Sequence, residues 1–300
     1  MRVSKLERKN AIAGYILITP ALLVIGLVTI FPILYSVWMS LNHIQSTVNG
    51  FQFTFTGLSN YVKIFNYQPF WQALEFTTIY AIVTVFIELA LGLLVALALN
   101  QPIKGRGIAV AIMLIPWTLI TVISAQMWHY IYEPTFGVLN FILMQLHIIS
   151  SPILWLGAPQ LATISMMIAD VWKTTPFVTL ILLSGLQLIP SDLYEASKID
   201  GAGIWRSFWK ITFPLLRPSI GLAALFRILQ AFGLFDLPYV LTSGGPGNTT
   251  TPIAMLTFQV LFNMDKFGPG TAMAVTTVGI VIVLALISLK ALRTQVGEVD

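Results

Sequence analysis

The sequence predicts an all-α, polytopic membrane protein with six transmembrane helices, and three observations carry that expectation. Hydrophobic residues make up 57% of the 300-residue chain and charged residues only 9%, against roughly 25% charged in soluble domains. The apolar residues gather into six stretches, each long enough for the ~20 residues that a helix needs to cross the hydrocarbon core. Lysine and arginine crowd alternate connections, the asymmetry expected of cytoplasmic loops. The same composition excludes a disordered chain. The absence of cysteine excludes disulfide scaffolds, thiolate metal sites and cysteine nucleophiles.

The first span is placed at residues 11–41, which contain no Asp, Glu, Lys or Arg. That run is too long for the apolar core of a cleaved signal peptide and reads as a retained anchor. The others are placed at 73–100, 107–132, 161–189, 215–241 and 272–292, and an even number puts both termini on one side. Arg2, Lys5, Arg8, Lys9, Lys104, Arg106, Lys198, Arg206, Lys210, Arg217, Lys290 and Arg293 fall on that side, and only Lys63 and Lys266 on the other. Lys173 and Arg227 fall inside spans. Both termini are therefore expected in the cytoplasm, in a multi-pass protein of the cell's inner membrane. The isoelectric point of 9.3 reflects this distribution, and no nucleic-acid partner is expected.

On the external side, Phe51, Gln52, Phe53, Thr54, Phe55 and Thr56 alternate with the period of an extended strand. Residues 133–160 place Pro134, Gly137, Pro152, Gly157 and Pro159 around an apolar run suited to a short surface helix. No separate soluble domain is evident, so residues 1–300 read as one transmembrane domain.

The chemistry that is missing narrows the function. No Gly-Lys pair occurs, so there is no phosphate-cradling loop, and any ATP must be spent by another chain. His43, His129 and His147 stand apart without metal-ligand spacing, and no Gly-x-Ser-x-Gly elbow is present. No catalytic residue, metal ligand or cofactor site is predicted.

The cytoplasmic loop at 190–214 is the most informative segment. Ser191 is suited to cap a short helix with Asp192 and Glu195 in its first turn, and Gly201 and Gly203 are suited to stop it. A second helical piece follows, with Ile204, Phe208 and Ile211 on one face, limited by Pro214. A short amphipathic helix of this kind suits docking into a groove on a partner. Read merely as a solvated loop, it would leave Ile204, Trp205, Phe208 and Trp209 exposed.

This segment, YEASKIDGAGIWRSFWKITFPLLRP, resembles the EAA loop of binding-protein-dependent ATP-binding-cassette importers. Glu195, Ala196, Asp200, Gly201, Ala202, Phe208, Ile211, Pro214 and Pro218 match its pattern, and Ser197 replaces its second alanine. Trp172-Lys173-Thr174-Thr175-Pro176-Phe177 and Phe235 to Thr242, followed by Gly244-Gly245-Pro246-Gly247, are similar to the carbohydrate-type permeases of that family, as is Glu133-Pro134 with Gly137 and Asn140. The likeness extends over nearly the whole chain. It implies a type I importer permease fold, a second permease subunit forming a heterodimer, a cytoplasmic ATPase dimer that binds ATP and Mg, and an extracytoplasmic sugar-binding protein. It further implies that Glu195, Ala196, Ser197, Asp200, Gly201 and Ala202 form a coupling helix moved by the ATPase, and that the Gly244, Gly245 and Pro246 loop approaches the binding protein.

Ionisable residues inside spans cost about 2.5 to 3.5 kcal/mol each to insert and so invite functional readings. Asp170 and Lys173, three residues apart on the fourth span, can neutralise each other. With Trp172 and Thr174 they either line a polar path or form a structural ion pair. Glu88 reads as a protonated carboxyl bonded to a neighbouring helix. In the fifth span Pro238 leaves irregular backbone, and Phe232, Gly233, Asp236 and Tyr239 share a face that either lines a sugar path or packs on the partner permease. Arg227 and Gln230 read as a gate or as snorkelling side chains. The function expected is a permease subunit of an ATP-driven sugar importer, with trehalose, maltose, larger oligosaccharides and glycerol phosphate all open as substrates. The alternative is a self-contained secondary transporter or channel relaying ions through the intramembrane charges. An intramembrane enzyme lacks motifs.

Overall fold

The computed structural model describes residues 5–48, 50–102 and 104–296, with side chains described between residues 15 and 290. Arg2 and the side chains of Lys5, Arg8, Lys9 and Arg293 lie outside that description. In chain order the elements are α1 (Lys5–Ile25), α2 (Phe31–Ser40), β1 (Asn42–Thr47), β2 (Gly50–Phe55), α3 (Ser59–Phe65), α4 (Gln68–Leu99), α5 (Arg106–Thr118), α6 (Thr121–Ile131), α7 (Val138–Gln145), α8 (Pro159–Gln187), α9 (Ser191–Ile199), α10 (Ile204–Ser207), α11 (Phe213–Phe232), α12 (Asp236–Leu241), α13 (Ile253–Phe258) and α14 (Phe267–Val296). Two compact units result, one of residues 1–67 and 257–276, the other of residues 68–256 and 277–300.

Among the described residues, five continuous helical stretches are long and apolar enough to span a membrane: Tyr15–Ser40, Gln68–Leu99, Pro159–Gln187, Ile204–Phe232 and Phe267–Lys290. The third span, expected at 107–132, is broken. Its halves α5 and α6 meet at 89°, because Leu119 and Ile120 are extended, with ψ of 138° and 134°, directly after the helix that contains Pro116. Proline cannot donate to the ladder and weakens the turn that precedes the bend.

Prolines shape two further helices differently. Pro32 and Pro214 each stand just beyond a π-helical turn, at Gly26–Ile30 and Phe208–Thr212. The residue before each proline donates five positions back, Phe31 to Gly26 and Phe213 to Phe208, so the wider turn absorbs the missing donor. Pro214 was expected to end its helix. Instead α10, the π turn and α11 form one stretch from Ile204 to Phe232, and the fifth span begins well before residue 215. It also stops before residue 241, because the chain leaves the helix at Gly233 and resumes it as α12.

In the first unit, β1 and β2 form an antiparallel hairpin with Asn42 opposite Phe55 and Ser46 opposite Phe51. The aromatic alternation is thus a strand, the one departure from an all-α architecture among the described residues. Trp38 packs on Phe53 and Phe51 on Phe267, with ring centroids 4.9 and 5.1 Å apart. Buried Asn60 donates to the carbonyls of Ser40 and Asn42 at 2.9 and 2.8 Å, which ties α3 to the end of α2. Gly268 is required there, since a Cβ would stand 2.5 Å from the Asn42 carbonyl.

In the second unit, α4, α8 and α11 form a three-helix block. Its apolar seam contains Ala96, Leu99, Val178, Leu182, Leu183, Leu186, Leu216 and Ala223. Small residues set the close approach, as is usual where helices pack in lipid: a Cβ on Gly92 would meet Val178 at 2.7 Å, and one on Gly185 would meet the Ser219 Oγ at 2.2 Å. The connection at residues 133–160 folds around Asn140 at the start of α7. Its amide donates to the Ile153 carbonyl at 3.0 Å, while its oxygen accepts from Ile153 N–H and Trp155 Nε1 at 3.2 and 2.9 Å. The short helix expected in residues 133–160 is therefore α7, and Asn140 holds it down.

Candidate functional site

The segment at residues 190–214 is built from two short helices turned on a glycine. The N-cap of α9 is Pro190 rather than Ser191, and the Ser191 hydroxyl points instead to the Asp192 carboxylate at 3.4 Å. Pro190 is extended, with the φ its ring fixes, and no side-chain hydrogen bond caps the helix. Asp200 closes the helix, Gly201 turns with φ +73°, and the Ala202 N–H donates to the Ser197 carbonyl at 2.9 Å. Glycine takes that left-handed conformation without the Cβ penalty of other residues.

Of the segment's residues, Glu195, Ala196, Asp200 and Gly201 are exposed, Ala202 is half-buried, and Ser197 is buried. The Ser197 hydroxyl lies 2.7 Å from that of Ser207 on α10, and the Tyr194 hydroxyl 3.0 Å from Thr212. The one position that departs from the family pattern is thus the one that faces inward, and its hydroxyl adds a link between α9 and α10 that alanine cannot make. Beside it Ile204 and Trp205 remain 90% and 76% exposed, an apolar surface large for a solvated loop.

Deeper in the same unit lies a polar cluster whose pairing the sequence did not reveal. Arg227 on α11 forms a two-pronged ion pair with Glu88 on α4, through Nε to Oε2 and through Nη2 to Oε1 at 2.8 Å. It also reaches Asp170 on α8 at 3.2 Å and donates to the Gln230 side-chain oxygen at 2.7 Å. Thr174 donates to Glu88 at 2.6 Å, and the Tyr80 hydroxyl to Asp170 at 3.2 Å. Glu88, Tyr80 and Arg227 are 0, 0 and 3% exposed. A planar guanidinium fits two carboxylates at once, so one arginine bolts three helices together. Asp170 pairs with Arg227 and not with Lys173. Glu88 bonds a neighbouring helix as expected, through Thr174, but also meets Arg227 and so does not stand alone, and Arg227 neither snorkels nor stands alone.

Of the candidate sugar-path residues, Gln230 and Lys173 adjoin this cluster. Trp172 is partly exposed and meets Trp128 edge to face at 5.7 Å, while the buried Trp128 Nε1 has no hydrogen-bond partner. Lys173 is half-buried within electrostatic reach of Asp170 and Asp236. Gln230 is exposed on one side and bonded to Arg227 on the other. The single wheel expected for Phe232, Gly233, Asp236 and Tyr239 does not form, because the helix is interrupted between Phe232 and Asp236. Phe232 is buried, whereas Gly233, Asp236 and Tyr239 are exposed and Tyr239 stacks on Phe235 at 5.1 Å.

The Gly244 loop is cross-linked by its own hydrogen bonds. The Thr242 hydroxyl accepts from the Gly244 N–H at 3.2 Å and lies 2.8 Å from that of Thr250, which donates to the Gly245 carbonyl at 2.7 Å. Gly244 has φ +82°, and a Cβ there would stand 2.5 Å from the Thr251 hydroxyl. Gly245-Pro246 is a cis peptide, with Gly245 and Pro246 half-buried.

Residues 16–295 match the family described as "Binding-protein-dependent transport system inner membrane component". The chain belongs to that family. It is 42% identical over 290 residues, 97% of each chain, to the trehalose/maltose transport system permease protein MalF of Thermococcus litoralis. It is 38% identical to the trehalose transport system permease protein SugA of Mycobacterium tuberculosis, over 95% of this chain and 89% of that one. To the sulfoquinovosyl glycerol transport system permease protein SmoG of Agrobacterium fabrum it is 33% identical, over 97% and 93%. The fold is shared with a chain in the crystal structure of a bacterial transporter that imports the acidic polysaccharide alginate, with a TM-score of 0.81 and 20% identity over 95% and 96% of the two chains. The type I importer permease fold implied by the sequence is therefore observed, and the protein is a multi-pass membrane transport subunit whose family is not one of enzymes.

Proposed function

We propose that this chain is one permease subunit of an ATP-driven, binding-protein-dependent importer of a disaccharide of the trehalose or maltose class, and that it forms half of the translocation path with a second permease. The observation that carries the reading is the α9 segment. Its two carboxylates, Glu195 and Asp200, are exposed on a short helix pinned to α10, which begins the span running to Phe232. A push on α9 is thereby delivered to α11 and, through Arg227, to α4 and α8. Glu195, Ala196, Ser197, Asp200, Gly201 and Ala202 dock on a cytoplasmic ATPase dimer that binds ATP and Mg, and both termini lie in the cytoplasm. The loop of Gly244, Gly245 and Pro246 meets the external sugar-binding protein.

Exposed Trp172, Gln230, Asp236 and Tyr239, with Lys173 behind them and Gly233 at the helix break, offer sugar hydroxyls hydrogen-bonding groups and their C–H faces aromatic rings. Phe232 is buried in an apolar cluster with Ala81 and Ala231. Relatives named for trehalose and maltose support the substrate class. Affinity purification of the chain from its native membrane in mild detergent tests the assembly. The expected companions are an ATPase and a second permease of similar length; recovery of this chain alone, with ATP-independent sugar transport in vesicles, would overturn the proposal and favour ion relay through the buried charges.

A further inference from the structure

The two basic residues that the sequence places on the external side, Lys63 and Lys266, are about two hundred positions apart, yet both line one cavity in the first unit. The cavity has a volume of about 400 Å³ and is bounded also by His43, Ile44, Ile64, Tyr67, Val260, Met264, Asp265, Pro269 and Met273. Its floor is apolar: Ile44, Ile64, Val260 and Met273 are each at most 4% exposed. Its rim is polar, with Lys63, Lys266 and Asp265 exposed and His43 half-buried. Among the described residues neither lysine ammonium has an ion-pair partner, although Asp265 borders the same rim.

The rim groups share a depth. His43 follows the span ending at Ser40, Lys63 precedes the span beginning at Gln68, and Lys266 directly precedes the span beginning at Phe267. All three therefore stand within a few residues of a span end, the level of lipid headgroups rather than of bulk solvent. The frame is fixed: Asn60 anchors α3 to the carbonyls of Ser40 and Asn42, and the Lys266 N–H bonds the Val260 carbonyl at 3.0 Å. A cationic rim above an apolar floor at interfacial depth matches an anionic amphiphile, whose phosphate meets the ammonium groups while its first acyl carbons cover Ile44, Ile64 and Met273.

We propose that this cavity binds the phosphate headgroup of an anionic phospholipid. A free phosphate shares the headgroup chemistry but leaves the apolar floor unused, and so lipid is the occupant.

The test is native mass spectrometry of the complete purified transporter, delipidated and then exposed to micelles containing phosphatidylglycerol or phosphatidylcholine, with inorganic phosphate as competitor. The wild type is expected to retain one more phosphatidylglycerol per copy of this chain than a Lys63→Gln/Lys266→Gln variant. That variant should bind it at least about tenfold more weakly, through loss of the charge-assisted hydrogen bonds to the phosphate. Asp265→Asn removes the only carboxylate among the described rim residues and keeps a residue that tolerates its φ of +53°, so it should bind more tightly, a gain that misfolding does not produce. Equal retention in the lysine variant, equal retention of phosphatidylcholine, or displacement of the lipid by inorganic phosphate would overturn the proposal. So would loss of binding-protein association in the lysine variant with lipid retention unchanged, which would make the cavity a protein-docking surface.

Discussion

Substituting Arg227 by methionine removes the cation that α4, α8 and α11 share, and the structure sets the size of the effect. Glu88, 0% exposed, would keep only the Thr174 hydroxyl, and Asp170 only the Tyr80 hydroxyl. Breaking a buried pair by deleting one partner costs about 3 to 5 kcal/mol, because an uncompensated charge stays behind. Glu88→Gln is milder. Arg227 keeps Asp170 and Gln230, and the loss is that of charge-assisted hydrogen bonds, about 1.5 to 3 kcal/mol. Combining the two changes removes one of the stranded carboxylates, so Arg227→Met/Glu88→Gln should be more stable than the sum of its parts implies, with a coupling of about 2 kcal/mol. Unfolding of the purified subunit by titrated ionic detergent reads all three variants. Two single substitutions of equal cost, with a double that is additive within about 0.5 kcal/mol, would refute the shared-cation reasoning.

Other consequences are open to direct measurement. Glu195→Lys should abolish transport-linked ATPase activity while the chain remains in the membrane; wild-type coupling in that variant would remove α9 from the drive path. Gly185→Val should lower the unfolding midpoint by forcing α8 from Ser219 and Leu216, a cost of about 1 to 3 kcal/mol for overpacking, whereas unchanged stability would show that the helices are not in close contact there. Because the chain has no cysteine, single cysteines at Ser243 and Lys198 report orientation: a membrane-impermeant thiol reagent should label the first in intact cells and the second only after permeabilisation, and the reverse pattern would invert the topology. Asp236→Ala should raise the KM for sugar at least severalfold with little effect on subunit assembly; an unchanged KM would move the path away from α12.

The legible and illegible parts of this protein divide along a physical line. The apolar spans and the short α9 helix with its turn rest on composition, local pattern and turn chemistry, which a single chain carries openly. The strand at Phe51–Phe55 and the glycine turn at Gly201 followed in the same way. What failed depended on geometry between distant segments. Asp170 and Lys173 looked like partners because i, i+3 neighbours are near by construction, while the helix register that brings Arg227 to Glu88 and Asp170 leaves no local trace. Glu88, Asp170, Lys173 and Arg227 could have been summed to zero from the sequence, and that balance was the available hint that they form a set. Pro214 misled for another reason. A proline announces that one donor is missing but not how the backbone answers, and here the answer is a π turn ahead of Pro214, whereas the irregular backbone expected from Pro238 is found between Phe232 and Asp236.

The most direct test of the central reading is uptake into proteoliposomes. The purified assembly would be reconstituted with its binding protein outside and labelled trehalose or maltose as the probe, with ATP and Mg enclosed or omitted. Accumulation that needs both the enclosed ATP and the binding protein, and that is lost in Glu195→Lys, is the predicted result. Accumulation without ATP, driven by an imposed proton or sodium gradient, would contradict it.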